Sequence, residues 1–439
     1  MNRKRFWCFI VATVISLFLV QCGVYIYLFS TASFSLHNMK GVDESQMKRI
    51  FRFVWFSRPS NVVGVFAKMK PVNLVNCRKL FDGDSTEMNK TYTLLENFKP
   101  KSISDTEYIN MTKRCDFFLE KRGYIMTSLT SGEETFPLAF SILMYKDVYQ
   151  AERLLRAIYR PQNIYCIHVD QKAARDVKDA MTSIASCFEN VFIASQLYDV
   201  QWGTISVLDA DMSCMRDLLH KHKSWKYFIN LTGQEFPLRT NYELVKILLV
   251  YDGANDIMGG PASKWQHRWA GAGTPPHGIR PMKGGTHILA NRDFVDFLVN
   301  NRIAQDIYNW TKYTTIPDEI FFNTMNHNSQ LGVRGQYNGS IPPNEEMYFS
   351  RIKIWTYSLR PDCHGKIDHG ICIFGIGDLP LLKTRKEFIF NKFHWDFQSF
   401  TLDCIEELYF NTTRDEYLGI KDFNTSVYEK ALFVKYKIK

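Results

Sequence analysis

Side chains able to move protons or hold charge gather at a few places in this 439-residue chain. Pro317-Asp318-Glu319 sets two carboxylates directly after a proline. Taken alone, the pattern suits the first turn of a helix, where proline fits and acidic side chains face the positive end of the dipole. A carboxylate there can equally act as general base toward a poor nucleophile such as a hydroxyl. Asp209-Ala210-Asp211 has the Asp-x-Asp spacing that can hold a divalent cation on a diphosphate. It lies inside a helical pattern just before Cys214 and not at a strand end, which disfavours metal binding there. Three polar groups follow apolar runs: Tyr145 with Asp147, His168 and Asp170 with Lys172, and Thr232 with Glu235. Any one of these alone reads as the polar start of a loop, and a lone Lys392 reads as solvated surface.

Those groups gain meaning from the elements that must carry them. Leu138–Met144 is a compact apolar run fit for a buried strand, and Val148–Ile158 has helical spacing through Leu154, Leu155 and Ile158. Next come a strand at Ile164–Val169, a helix at 173–184, a strand at Val191–Ile193, a helix at 205–219, a strand at 227–231 and a helix at 241–249. Strand and helix alternating at this rhythm indicate an α/β fold with a mostly parallel sheet covered by helices. Ligands of such sheets collect beyond the carboxyl ends of the strands, where the three polar groups would meet. Residues 264–283, rich in Trp, Gly and Pro, read as a long loop near a site. Residues 30–110 show no sustained period and read as a stem.

Arg3, Lys4 and Arg5 precede an apolar run over residues 6–29, broken only by Gln21 and a few small polar residues. That length crosses ~30 Å of hydrocarbon as a helix. Bulky Val24, Tyr25, Ile26 and Tyr27 at its end argue against a cleaved signal peptide, and the basic flank stays cytosolic. The expected layout is therefore type II: tail 1–5, anchor 6–29, stem and N-terminal lumenal region 30–115, and lumenal domain 116–439. Beyond the anchor's Cys8 and Cys22, eight cysteines remain, an even number suited to four disulfides in an oxidising lumen, with 105 pairings open. No CxxC unit favours zinc. Sequons occur at Asn89, Asn110, Asn309, Asn338, Asn411 and Asn424, and at Asn230, which sits in an apolar segment and suits a glycan least. The charge of +9 is scattered, without the one-sided Lys/Arg cluster that nucleic acids require.

Several blocks together resemble the core 2 and I-branching β-1,6-N-acetylglucosaminyltransferases. They are the stretch from Tyr159-Arg160-Pro161 through His168-Val169-Asp170, Trp225-Lys226-Tyr227 through Asn230-Leu231 with Glu235-Phe236-Pro237, Pro317-Asp318-Glu319, Cys372-Ile373-Phe374-Gly375 with Gly377-Asp378-Leu379, and Asn391-Lys392-Phe393. They keep family order over about 136–404. The resemblance implies a GT-A-like, Rossmann-type mixed sheet and a UDP-sugar donor, UDP-GlcNAc first. It also implies inversion at the anomeric carbon, no metal and no other cofactor. It makes Glu319 the base, with Asp318 left as helix cap, and Lys392 one of two basic residues on the diphosphate. Leu143, Met144, Tyr145, Asp170, Gln171, Lys172 and Trp202 fall at nucleotide contacts. His369 stands where core 2 enzymes usually carry arginine, as in the I-branching members. A histidine is only partly charged near neutral pH. Tyr357 falls near an acceptor contact. The loop with Lys264, Trp265, Arg268 and Trp269 aligns poorly, and Trp269 either stacks on the acceptor sugar or packs on the domain. Gly285-Thr286-His287-Ile288 departs from the family's Gly-Ser-Ala-Tyr, so UDP-Glc stays open as donor. The pairings implied are Cys77 with Cys404, Cys115 with Cys187, Cys166 with Cys214, and Cys363 with Cys372. The expected function is formation of a β-1,6 branch on an O-glycan such as core 1 by a Golgi membrane enzyme acting on glycoproteins. A homodimer is left open. Glucosyl transfer, poly-lactosamine branching and a non-catalytic lectin-like protein are the rivals.

Overall fold

The structure, a computed structural model, describes residues 62, 64–66, 72–260, 264–340, 348–356 and 363–439. The expected anchor at 6–29 and the acceptor residue Tyr357 lie outside the described residues. Among the described residues no helix is long and apolar enough to cross a membrane.

Five strands form the main sheet: β1 (Leu138–Met144), β2 (Ile164–Val169), β3 (Val191–Ile193), β4 (Tyr227–Thr232) and, after the short β5 (Glu235–Pro237), β6 (Leu289–Asn291). Their spatial order is β3-β2-β1-β4-β6, with β1 parallel to both β2 and β4 and only β6 antiparallel. β1 and β2 are buried along nearly their whole length, because helices cover both faces. Helices at Val148–Ile158, Arg175–Ala185 and Ile205–Lys221 make the crossovers, and Thr240 with Glu243 closes a reciprocal cap on Asn241–Tyr251. The register pairs Leu143 with both His168 and Thr232, so three strands end level. Tyr145, Asp170 and Gly233 therefore leave the sheet side by side.

From β4 a tight turn enters β5, which opens a second sheet with β7 (Arg351–Ile352) and β10 (Ile389–Asn391) in the order β5-β10-β7. A hairpin of β8 (Lys366–Asp368) and β9 (Ile371–Ile373) lies nearby in the sequence. Phe236, Phe374, Phe390 and Leu80 pack into one apolar core with Cys77 and Cys404.

All four implied disulfides are present. Two of them explain where the stem expectation differs from the structure. Cys77–Phe81, Ser85–Asn97, Asp105–Thr112 and Cys115–Arg122 are helices, and Leu80, Tyr108 and Phe118 are fully buried. Each helix is too short to show a sustained apolar period. Cys77–Cys404 and Cys115–Cys187 tie them to the domain. Of the sequons, Asn89, Asn110, Asn309, Asn338 and Asn424 are exposed, and Asn411 partly so. Asn230 is buried, with its amide on Asp211 Oδ2 (2.9 Å) and the Thr286 carbonyl (3.0 Å).

Candidate active site

Pro317-Asp318-Glu319 forms a single 3₁₀ turn after Ile316, whose φ is +55°. Glu319 is the partly exposed member. Its Oε2 accepts from Arg268 Nη2 at 2.7 Å and lies 3.6 Å from Lys283 Nζ. Arg268 is anchored a second time, through Nε on the Thr315 carbonyl (3.0 Å), while Lys283 lies over the Trp265 ring at 4.8 Å. The 264–283 loop thus delivers two cations to one carboxylate. Gly284 ends that loop by donating its N–H to the Glu319 carbonyl at 2.9 Å. Only glycine fits there: a Cβ would stand 2.1 Å from Asn323 Nδ2 and 2.2 Å from the Met258 carbonyl. Trp269 is half-buried on the same loop, but Arg268 and Lys283 are the loop side chains that meet Glu319.

Asp318 is not a helix cap. It is 6% exposed, it takes a hydrogen bond from the Thr286 side chain, and its Oδ1 has no partner among the described residues. Burial, and then the charge of Glu319, push its carboxyl up to about 6. The sequence pattern misleads here because the turn is 3₁₀, and its side chains do not reach the next helix's N–H groups.

Beneath this turn lies a layer of buried polar groups. Ser141 of β1 donates to Asp211 Oδ1 at 3.0 Å, and burial raises Asp211 to about 7. Asp209 instead accepts from Tyr308. The two aspartates of the Asp-x-Asp motif therefore serve different partners and do not converge. Among the described residues, the group that brings three metal-type ligand atoms together is Cys363, Cys372 and Asp378, and both cysteines are in a disulfide. Glu235 accepts from Thr232 N–H (2.9 Å), Arg351 Nε (3.0 Å) and Asn391 Nδ2 (2.8 Å), with His287 Nε2 at 3.2 Å. Burial holds that histidine well below its ordinary pKa. The altered Thr286-His287 segment thus braces both Asp318 and Glu235.

At the strand ends, the Met144 carbonyl accepts from Asp170 N–H (2.8 Å), and Asp170 Oδ1 accepts from Lys172 N–H (2.9 Å). Lys172 Nζ joins Asp170 to Asp199, and Gln171 N–H reaches the Tyr198 carbonyl at 2.9 Å. The Leu143 carbonyl accepts from Gly233 N–H. Tyr145 and Trp202 are exposed, Trp202 by 84%, although aromatics of this size normally bury surface. Asp368 gathers a lysine and two histidines: His369 Nδ1 at 2.7 Å, and Lys392 Nζ and His394 Nε2 both at 3.7 Å, with burial holding His394 below its ordinary pKa. Burial raises Asp368, but Lys392, His369 and His394 outweigh it and hold the carboxyl below its usual range. Lys392 is itself lowered, by burial first and also by nearby Lys146, so Lys146 links this cluster to the end of β1. The site consequently offers a partly exposed carboxylate, Glu319, held by two cations and, apart from it, Lys392 with two histidines about Asp368, groups able to meet a phosphate.

The model of the Core-2/I-Branching enzyme family matches residues 138–383, from β1 past His369. A Danio rerio protein named beta-1,3-galactosyl-O-glycosyl-glycoprotein beta-1,6-N-acetylglucosaminyltransferase 4 is 34% identical over 378 residues, 80% of this chain and 88% of its own length. The chain belongs to the Core-2/I-Branching enzyme family. It is a glycosyltransferase. Family members from Bos taurus and Homo sapiens, both named beta-1,3-galactosyl-O-glycosyl-glycoprotein beta-1,6-N-acetylglucosaminyltransferase, are 34% and 33% identical over 365 and 371 residues. Each comparison covers 77% of this chain and 85% of the relative. Within this family frame, sequence reasoning passed over Lys283, Asp368 and His394. A signal existed for His394, which lies two residues beyond Lys392 and so shares its side of an extended segment.

Proposed function

We propose that the protein moves GlcNAc from UDP-GlcNAc to the 6-hydroxyl of an O-glycan acceptor of the core 1 type, Galβ1,3GalNAc, forming a β-1,6 branch with inversion. The observation that carries this reading is Glu319, a partly exposed carboxylate held by Arg268 and Lys283, set in a family whose named relatives are β-1,6-N-acetylglucosaminyltransferases. One carboxylate suffices for one displacement. Glu319 takes the proton of the acceptor 6-hydroxyl as that oxygen bonds to the anomeric carbon, and the bond from that carbon to the diphosphate breaks on the opposite face. Lys392, with His369 and His394, receives the charge that develops on departing UDP, and Asp368 holds those groups in place. Fixed cations supply the electrostatic stabilisation that a metal would otherwise provide, so the reaction needs no divalent ion.

Leu143, Met144, Tyr145, Asp170, Gln171, Lys172 and Trp202 form the nucleotide end, in keeping with a GT-A-like sheet whose ligands sit beyond the strand ends. Trp269 and Tyr357 belong to the acceptor side. Arg268 and Lys283 orient Glu319. The chain is a type II Golgi membrane protein anchored by residues 6–29, with the domain from 116 onward in the lumen acting on glycoproteins. The test is product analysis with UDP-GlcNAc, UDP-Glc and UDP-Gal on core 1 and lactosamine acceptors. A 6-linked GlcNAc on core 1 is the expected product, and preferred glucose transfer or linkage at another hydroxyl contradicts the reading.

A further inference from the structure

The helix Val148–Ile158 follows the end of β1 and buries Val148, Ala151, Leu154, Leu155 and Ile158 in the core of the main sheet. Gln150 differs from them: it is polar, yet fully buried. Its Nε2 donates to the Phe393 carbonyl at 3.0 Å, and its Oε1 accepts from the Trp395 N–H at 2.9 Å. One side chain thus brackets His394 along the backbone, as a neighbouring strand would. A carboxamide supplies both donor and acceptor, whereas a carboxylate has no donor and a thioether only a weak acceptor. The rest of this segment's backbone is equally committed. The Lys392 carbonyl accepts from Phe374 N–H (3.1 Å), Phe393 N–H donates to the Gln234 carbonyl (2.9 Å), and the His394 carbonyl accepts from Phe397 N–H (3.0 Å). Trp395 meets Tyr149, the residue beside Gln150, edge-on at 5.5 Å. Gly233 lets the helix approach the β4–β5 turn this closely, since a Cβ there would stand 3.1 Å from Met144 Cβ and 3.5 Å from Ala151 Cβ. Lys392 and His394, two residues apart on an extended segment, both turn to Asp368. Gln150 therefore joins the helix after Tyr145 to the segment that carries the lysine and histidine.

We propose that Gln150 is a positioning residue for the donor diphosphate, its carboxamide fixing the Lys392–Trp395 backbone so that Lys392 and His394 stand ready for the phosphates. This rests on the reading of Lys392 as a diphosphate contact. Gln150 acts through that segment and touches no phosphate itself. Groups already in place when charge develops on UDP need no reorientation at that moment, which is where such stabilisation gains its strength. Without the carboxamide, the Phe393 carbonyl and the Trp395 N–H lose their partner, and the backbone between them must shift or take up water to satisfy both. His394 lies between those two groups and Lys392 directly before them, so both side chains move with the backbone. Asp170 and Gln171 keep separate backbone bonds, to the Met144 and Tyr198 carbonyls. The loss consequently falls on the phosphates and spares the nucleoside.

The experiment measures the affinity of the full-length chain in detergent for UDP and for uridine, together with kcat and the acceptor KM. The proteins compared are wild type, Gln150→Met, Lys392→Met and the double variant. Gln150→Met should bind UDP about tenfold more weakly, the scale of losing two hydrogen bonds, with a lower kcat. Its uridine affinity and acceptor KM should stay at the wild-type values. Because Gln150 works through Lys392, adding Gln150→Met to Lys392→Met should weaken UDP binding by clearly less than it does in wild type. The thermal midpoint of each variant reports the fold. Gln150→Asn, an amide one carbon too short to reach both backbone groups, gives the same comparison if Gln150→Met does not fold. Equal losses for uridine and UDP, unchanged UDP binding in Gln150→Met, or a further loss in the double variant as large as in wild type overturns the inference. Lys392→Met binding UDP as tightly as wild type overturns the diphosphate reading itself. A weakened Lys392→Met beside an unchanged Gln150→Met overturns the Gln150 role alone.

Discussion

Glu319 shows how little a residue type says without its neighbours. After a proline it looks like helix punctuation, and only Arg268 and Lys283 on its Oε2 mark it as a held, accessible carboxylate. Asp318 carries a consequence that can be measured. Its carboxyl is pushed up to about 6, chiefly by burial, so it gains a proton as pH falls through that value, and on the proposed reading Glu319 then loses a charged neighbour. Turnover should decline below about pH 6, and Asp318→Asn, neutral throughout, should have a lower plateau without that limb in a pH–rate series. Lys392 was legible only through its resemblance block, since nothing in a single lysine reports the approach of Asp368 and His394. Lys392→Met should lower kcat by about 10²- to 10³-fold, the range for losing one preorganised charge-stabilising group, with little change in thermal midpoint.

The strands and helices were the most readable part. The apolar runs at Leu138–Met144, Ile164–Val169 and Val191–Ile193 become strands with those bounds, because strands buried on both faces leave continuous hydrophobic stretches. Helix ends ran longer than the sequence suggested: 205–219 extends to Lys221, where His220 and Lys221 suit the negative end of the dipole. The pieces that build the second sheet escaped notice, since β5, β7 and β10 have only three, two and three residues and owe their pairing to tertiary contacts. The 264–283 segment was recognised as a loop by composition, yet which of its side chains meets Glu319 depends on Gly284 pinning its end. Gly284→Ala should destabilise the domain by about 1–3 kcal/mol, as overpacking does, and should reduce turnover beyond what that loss explains. Thermal unfolding beside kcat checks both.

The domain as described is an α/β sheet joined to a small second sheet through the β4–β5 turn, with four disulfides fastening N-terminal helices, β2 and the β8–β9 hairpin. Cysteine parity foretold the number of bridges. Only family resemblance implied the pairing, because partners such as Cys77 and Cys404 stand 327 residues apart and no local pattern connects them. The same bridges explain why residues from Cys77 onward fold into the domain where a stem was expected. On the proposed reading, Glu319 acts as base and fixed side-chain cations receive the leaving group. The most direct test is acceptor-dependent UDP release from UDP-GlcNAc and core 1 by wild type and Glu319→Gln, each with and without EDTA. The account predicts wild-type turnover that survives the chelator and a Glu319→Gln rate lower by at least about 10²-fold, the lower end of what a general base contributes. Turnover abolished by EDTA, or a Glu319→Gln variant as active as wild type, would contradict it.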